Sequence, residues 1–241
     1  MKKNNDDIFD EFQHSLDSLD GNFHVLESNV PVERQMEYFN YSENVKRSID
    51  NNTIDNQIVV LNSPDATIND LKYAKTYLAV SGDVKAYRAL ETYSEEHKDE
   101  KDDWTVMALL QAKITLESEF SDQKQFFIST GLGGKGRNLR FFSFVKSKKS
   151  KPFSIYQREL IEKEFSFHIH NSGGEMEKLD LRENYFTVEF LIDLHANIKK
   201  MLDDAIAECN QYGNFIDQLF VVTNVKRYTE AEIQRELERN E

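Results

Sequence analysis

The chain has 241 residues, of which 39% are hydrophobic and 30% charged, and its formal net charge is −13. With 17 Phe and 10 Tyr it is too aromatic for a disordered protein, and it has no run near the ~20 apolar residues that span a bilayer, so no membrane partner is expected. Its one cysteine, Cys209, excludes an internal disulfide, and the N-terminal stretch MKKNNDDIFDEF lacks the apolar core of a secretory signal. These features favour a cytoplasmic protein.

Residues 1–121 are predicted to form an all-helical domain. Helix starts are expected near residues 33, 67 and 103, roughly every 35 residues, as in tandem helical hairpins, and a small bundle is the alternative. Thr67 or Asn69 and then Asp83 suit N-caps, and Gly82 suits the left-handed position after a helix. Both architectures offer surface to a protein partner and neither has a built-in catalytic site.

Residues 122–241 are predicted to form a second domain of α+β type. Two aromatic-rich stretches, 124–130 and 139–147, flank a glycine loop and predict a β-hairpin. With the elements that follow, the predicted order is ββα-ββα-βα, a mainly antiparallel sheet with helices on one face. The fold class expected for the whole chain is therefore α+β.

Positive charge is concentrated in one part of this acidic chain. Residues 123–158 contain nine basic residues and no acidic residue, which should create a local positive potential. The hairpin either offsets the acidic N-terminal half within the molecule or contacts a polyanion, meaning RNA, a ribosome surface or an acidic protein. The candidate contact residues are Lys135, Arg137, Arg140, Phe142, Phe144, Lys146, Lys148, Lys149 and Lys151.

The glycine loop GLGGKGRN, residues 131–138, does not match a nucleotide-binding loop. Lys135 is followed by Gly136 where Ser or Thr is needed to hold magnesium, and a strand follows where a helix is needed. An enzyme acting on a phosphorylated small molecule at this loop is therefore only an alternative. The other candidate is an anion-binding backbone nest at Gly131, Gly133, Gly134 and Gly136.

The strand after the loop combines aromatic and basic side chains. Four residues share one of its faces: Arg140, Phe142, Phe144 and Lys146. Aromatic rings bracketed by cations can stack bases, and the stretch resembles the ribonucleoprotein-1 motif of RNA-recognition motifs at Arg140, Phe142, Phe144 and Val145. It departs from that motif at Phe141, Ser143 and Ser147, and the predicted element order differs from that family's βαββαβ. The alternative is that these phenylalanines are core residues.

The remaining candidate groups give no catalytic constellation. His168, His170 and His195 have no acid or thiol at a spacing that completes a zinc site, so no metal and no cofactor is expected, and no hydrolase or metalloprotease motif is present. The sequence favours a non-catalytic cytoplasmic interaction protein whose basic hairpin, residues 123–158, contacts an acidic protein partner. Direct RNA or ribosome binding is the alternative, and no DNA partner is expected.

Overall fold

The computed structural model describes residues 22–49, 53–99, 102–120 and 125–238. Described residues up to Ile128 belong to one compact unit, and those from Ser129 onward belong to a second. The predicted domain boundary at residue 121 lies outside the described residues. In the described residues, no helix is both long enough and apolar enough to cross a membrane.

The first unit is a set of helices with a small sheet. Its helices are α1 (Val32–Lys46), α2 (Ile54–Leu61), α3 (Ile68–Val80), α4 (Val84–Glu96) and α5 (Asp103–Phe120). Their inward faces share one core, in which Tyr38, Leu78, Leu90 and Met107 are almost completely buried. The predicted helix starts near residues 33, 67 and 103 agree with α1, α3 and α5.

Local capping explains where α3 and α4 begin. The Thr67 side chain accepts a hydrogen bond from the Asp70 N–H, and the Asp70 carboxylate accepts from the Thr67 N–H, which is a capping box. Asp83 caps α4 by accepting from the N–H groups of Lys85 and Ala86. Gly82, between the two helices, has φ +69°, a conformation that glycine adopts without a Cβ clash. The predicted roles of Thr67, Gly82 and Asp83 are confirmed.

The strand predicted at 124–130 does not form the expected hairpin. Strand β2 (Gln125–Ile128) instead pairs in parallel with β1 (Asn22–Val25), and both belong to the first unit. The residue pattern identified a strand correctly but could not identify its partner, because strand pairing depends on contacts distant in sequence.

The second unit confirms the α+β class. Its elements are β3 (Gly134–Lys135), β4 (Asn138–Ser147), α6 (Ile155–Asn171), β5 (Glu175–Leu181), β6 (Tyr185–Asp193), α7 (Ile198–Gln211), β7 (Ile216–Thr223) and α8 (Glu230–Glu238). This is the predicted order ββα-ββα-βα, with the short strand β3 in the place that was assigned to residues 124–130.

The four long strands form an antiparallel sheet in the order β7-β4-β6-β5. Without β3 and α8, the element order is β-α-β-β-α-β, the split βαβ arrangement of ferredoxin-like folds. With β3 and α8 included, the element order differs from that of RNA-recognition motifs, as predicted, but the four long strands and the two helices between them share it. The first strand of the predicted hairpin was assigned to residues 124–130, whereas the strand that pairs there with β4 is the two-residue β3.

The sheet is covered on both faces. Helices α6 and α7 pack on one face, where the rings of Phe165 and Phe186 meet edge to face at 4.9 Å. On the other face, Ile233 of α8 packs with Phe142, Phe144 and Tyr185 in one buried cluster. This second covering determines which of the candidate residues are accessible.

Candidate functional site

The basic residues of the acid-free stretch do not form one patch. Lys135 and Arg137 lie at the β3–β4 turn, where β4 begins, whereas Lys148, Lys149 and Lys151 follow its end. Ten extended residues span about 30 Å, so the two groups lie at opposite ends of the sheet. Lys124, the first basic residue of the stretch, lies outside the described residues.

The glycine loop is packed inside the unit. A Cβ on Gly131 would lie 1.8 Å from the Val225 carbonyl oxygen, so this position requires glycine for close backbone approach. The Leu132 N–H donates to the Asn224 carbonyl at 3.0 Å, and the Gly133 N–H donates to the Thr130 carbonyl at 3.2 Å. The amide of Gly133, a residue of the predicted nest, and that of its neighbour Leu132 are thus committed to internal hydrogen bonds.

The four glycines of the predicted nest lie in different environments. Gly131, Gly133 and Gly134 are buried, and Gly136 is exposed at the β3–β4 turn with φ +61°. The loop therefore shapes the backbone against the segment after β7 and presents only its tip, with Lys135 and Arg137, to solvent.

Arg140 is held by an acid and a carbonyl of its own unit. Its guanidinium bonds both carboxylate oxygens of Glu177, with Nη2 to Oε1 at 2.8 Å, and Nη1 donates to the Leu132 carbonyl at 2.9 Å. The hydrogen bond with Glu177 raises the pKa of Arg140, and the same bond lowers the pKa of Glu177. Arg140 thus connects β4, β5 and the glycine loop.

Phe142 and Phe144 are core residues. They are 4% and 3% exposed, and their ring centroids lie 5.7 Å from Tyr228 and 5.6 Å from Tyr185. The two rings share a face of β4, as the sequence predicted, but α8 covers that face. In this structure neither ring is accessible to a stacking base.

The lysines after β4 lie on a turn, Lys148–Lys151, which we call the lysine turn. Lys146 is buried and Lys148 is half-buried with its amine on the Asn214 side-chain oxygen, whereas Lys149 and Lys151 are exposed. Lys149 and Ser150 have φ +57° and +49°, in the left-handed region that non-glycine residues rarely adopt.

Backbone hydrogen bonds fix the lysine turn to neighbouring elements. The Ser147 N–H donates to the Asn184 carbonyl and the Lys148 N–H to the Phe215 carbonyl, both at 2.8 Å. Asn184, in the β5–β6 turn, and Asn214, in the connection between α7 and β7, were not identified from the sequence, because their positions beside the turn depend on distant pairing. The lysine turn is therefore a defined structure at one end of the sheet.

The side chain of Arg158 connects α6 to the β5–β6 turn at the same end of the sheet. Arg158, near the start of α6, donates to the carbonyls of Leu181 and Arg182 at 3.3 and 2.8 Å. Arg182 is exposed and pairs with Asp180 at 2.9 Å. Glu183, also exposed, follows it in the turn, so this region is mixed in charge around the lysines.

The histidines do not assemble a metal site. His168 and His170 lie in α6, where residues two apart point in different directions. His195 lies 3.1 Å from Asp193. In the parts of the chain that the structure describes, no group of three His, Cys, Asp or Glu side chains could hold a metal ion.

No protein-family model matches this chain, and no curated protein is similar to it. Among solved structures it is similar to a "putative transposase" from Deinococcus radiodurans R1, with 13% identity and a TM-score of 0.39 over 44% of this chain and 93% of that one. It is also similar to a REP-associated tyrosine transposase bound to a REP hairpin, with 7% identity and a TM-score of 0.34 over 45% of this chain and 64% of that one.

These comparisons correct three expectations. The similar structures are of transposases, which contradicts the predicted non-catalytic interaction protein, the expectation that the chain is not an enzyme, and the expectation of no DNA partner. The prediction had used the sign and position of charge, which report an anionic ligand without identifying it.

Proposed function

We propose that the second unit binds DNA through the phosphate backbone, with the lysine turn as its contact. The observation that supports this most directly is the exposure of Lys149 and Lys151 on a turn whose backbone is anchored at Ser147 and Lys148. Because the backbone of the turn is already fixed, the ordering cost of a phosphate contact is limited to that of the lysine side chains.

The charge distribution favours such a contact. Residues 129–241 contain 17 Lys or Arg and 18 Asp or Glu, so this part of the chain is almost neutral although the whole chain carries −13. The positive potential of the exposed lysines is therefore opposed by almost no net negative charge from the rest of residues 129–241. Phosphate contacts of this kind supply most of non-specific DNA affinity.

The backbone of the lysine turn supports a functional role. A left-handed conformation costs roughly 1–2 kcal/mol for a residue with a Cβ, and Lys149 and Ser150 adopt it consecutively. Glycine would fit both positions with less strain. Strained residues of this kind cluster at binding and catalytic sites, and here the strained pair includes the exposed Lys149.

Helix α6 adds to the positive potential beside the lysine turn. It begins at Ile155, and the Ser154 side chain accepts from the Gln157 N–H at its first turn. The N-terminal end of a helix carries a partial positive charge. Lys151 lies four positions before Ile155, so it precedes the positively polarised N-terminal end of this 17-residue helix.

The test is fluorescence anisotropy of the full chain with labelled single-stranded, duplex and hairpin DNA, and with RNA of the same sequence. If about three phosphates are contacted, log K should fall with log salt at a slope of roughly −2 to −3. The double variant Lys149→Glu/Lys151→Glu should bind at least about tenfold more weakly and show a shallower slope.

The matched control is Lys199→Glu/Lys200→Glu, which changes the net charge equally at the start of α7. This control should weaken binding only slightly. Equal losses in both double variants would show that general charge, and not the lysine turn, governs binding. Binding of RNA alone, or of no nucleic acid at low salt, would contradict the proposal.

A cytoplasmic location stays a prediction, supported by the single cysteine.

A further inference from the structure

The outer face of α6 exposes more apolar surface than its packing on the sheet requires. Its inner face is buried through Leu160, Ile161, Phe165 and Ile169. On the opposite side, Ile155 and Phe167 are 79% and 58% exposed, and Tyr156 is also exposed. Exposed apolar surface concentrated on one element marks an interaction site more often than scattered single residues do.

The residues of this outer face are arranged symmetrically about position 161. Ile155 and Phe167 lie six positions before and after it, and Glu159 and Lys163 lie two positions before and after it. At 3.6 residues per turn these four side chains fall within about 120° of the helix circumference. The face therefore carries a hydrophobic residue at each end, with Glu159 and Lys163 between them and the exposed Glu162 at its edge.

We propose that this face of α6 pairs with the same face of a second copy of the chain, with the two helices antiparallel. A two-fold axis at position 161 sets Ile155 against Phe167 of the second copy and Glu159 against Lys163 of the second copy. One register satisfies both contacts, which is the requirement of an isologous interface. This proposal does not depend on DNA binding.

Charge complementarity favours a second copy of the chain as the partner that covers this face of α6. In the antiparallel pair each carboxylate faces an amine, whereas in a parallel pair Glu159 would face its own equivalent. The Lys163 amine lies 3.9 Å from Glu164, and its side chain is 79% exposed, so it is accessible to a second carboxylate. A shallow hollow lined in part by Glu159, Ser166 and Phe167 lies on this face and can receive an apolar side chain.

The first test is sedimentation velocity of the full chain across a concentration series. A contact built mainly from one helix face belongs to the small, weak interfaces, so the chain should shift from monomer to dimer as its concentration rises. Phe167→Glu should abolish the dimer. Tyr212→Glu, at an equally exposed residue at the end of α7, should leave it intact. A parent chain that stays monomeric throughout the series overturns the proposal.

The second test exchanges the charges. Glu159→Lys and Lys163→Glu each place like charges across the axis, so each variant alone should dimerise roughly tenfold more weakly, since the symmetry repeats every contact twice. An equimolar mixture of the two variants should recover the parent affinity, because positions 159 and 163 are then both lysine on one face and both glutamate on the other. A mixture as weak as its separate components would rule out the antiparallel register.

Discussion

Arg227 and Glu189 are joined by three hydrogen bonds. Arg227 Nε donates to both carboxylate oxygens at 2.9 Å, and Nη2 donates to Oε2 at 2.7 Å. The Glu189 side chain is only 9% exposed and projects from β6 on the face that α8 covers. The pair therefore fastens the segment leading to α8 onto the sheet.

Removing the arginine of this pair should destabilise the second unit. Arg227→Ala leaves a nearly buried carboxylate without these donors, so the free energy of unfolding should fall by about 1–3 kcal/mol. We place the value below that of a fully buried pair because the Arg227 side chain is 44% exposed. Urea denaturation measures the change. Arg235 is exposed and its guanidinium donates to the Ala231 carbonyl of its own helix, so Arg235→Ala should change stability by less than about 0.5 kcal/mol.

Because Phe142 is buried, its substitution should change the stability of the fold and should not remove a stacking contact with a base. Phe142→Ala should lower the free energy of unfolding by about 3–5 kcal/mol, because it leaves a cavity between β4 and α8. Tyr212→Ala, at an exposed position, should be nearly neutral. If Phe142→Ala instead left the unfolding curve unchanged while weakening nucleic-acid binding, the ring would be accessible in solution, contrary to this structure.

The glycine loop offers a contrast between two positions. Gly131→Ala must displace the backbone at Val225, so it should destabilise the unit by at least about 1–3 kcal/mol. Gly136→Ala meets open space, and only its φ of +61° opposes it, so a loss of about 1 kcal/mol is expected. Thermal unfolding of the two variants compares them. Equal, small effects would show that the loop is not held against Val225.

Local features of the fold were predictable from the sequence. The capping residues Thr67 and Asp83, the left-handed Gly82 and the common face of Phe142 and Phe144 depend on neighbours within a few positions. Each of these predictions is confirmed. The α+β class followed from the change between helical and strand patterns in the two halves of the chain.

Features that depend on distant contacts were not predictable. No residue pattern indicated that residues 125–128 pair with residues 22–25 or that α8 covers Phe142. The nine cations appeared as one block in sequence, but the length of β4 separates the described ones into two groups. The prediction of function failed for a related reason, because a charge pattern indicates the sign of a ligand's charge and not the chemical class of the ligand.

The lysine turn predicts a stabilising substitution. Lys149→Gly removes a Cβ from a residue with φ +57°, so the free energy of unfolding should rise by about 0.5–1 kcal/mol. The same substitution at Lys151, whose backbone is extended, should be neutral or slightly destabilising. If Lys149→Gly is stabilising and also weakens DNA binding, the strain and the contact belong to the same residue. A destabilised Lys149→Gly variant would contradict the left-handed conformation.

Glu232 predicts how the start of α8 responds to acid. Its carboxylate accepts from Lys226 Nζ and from both the N–H and the hydroxyl of Thr229, and the Lys226 bond contributes most to lowering the pKa of Glu232 from 4.5 to about 2. A lowered folded-state pKa means that this interaction stabilises the fold above pH 4.5 and is lost as the pH falls towards 2. NMR titration of Glu232 should show the low pKa, and Lys226→Ala should raise it. Glu232→Gln should weaken the acid dependence of α8 between these two pH values, whereas Glu236→Gln should not. A Glu232 pKa near 4.5 in the folded chain would exclude this cap.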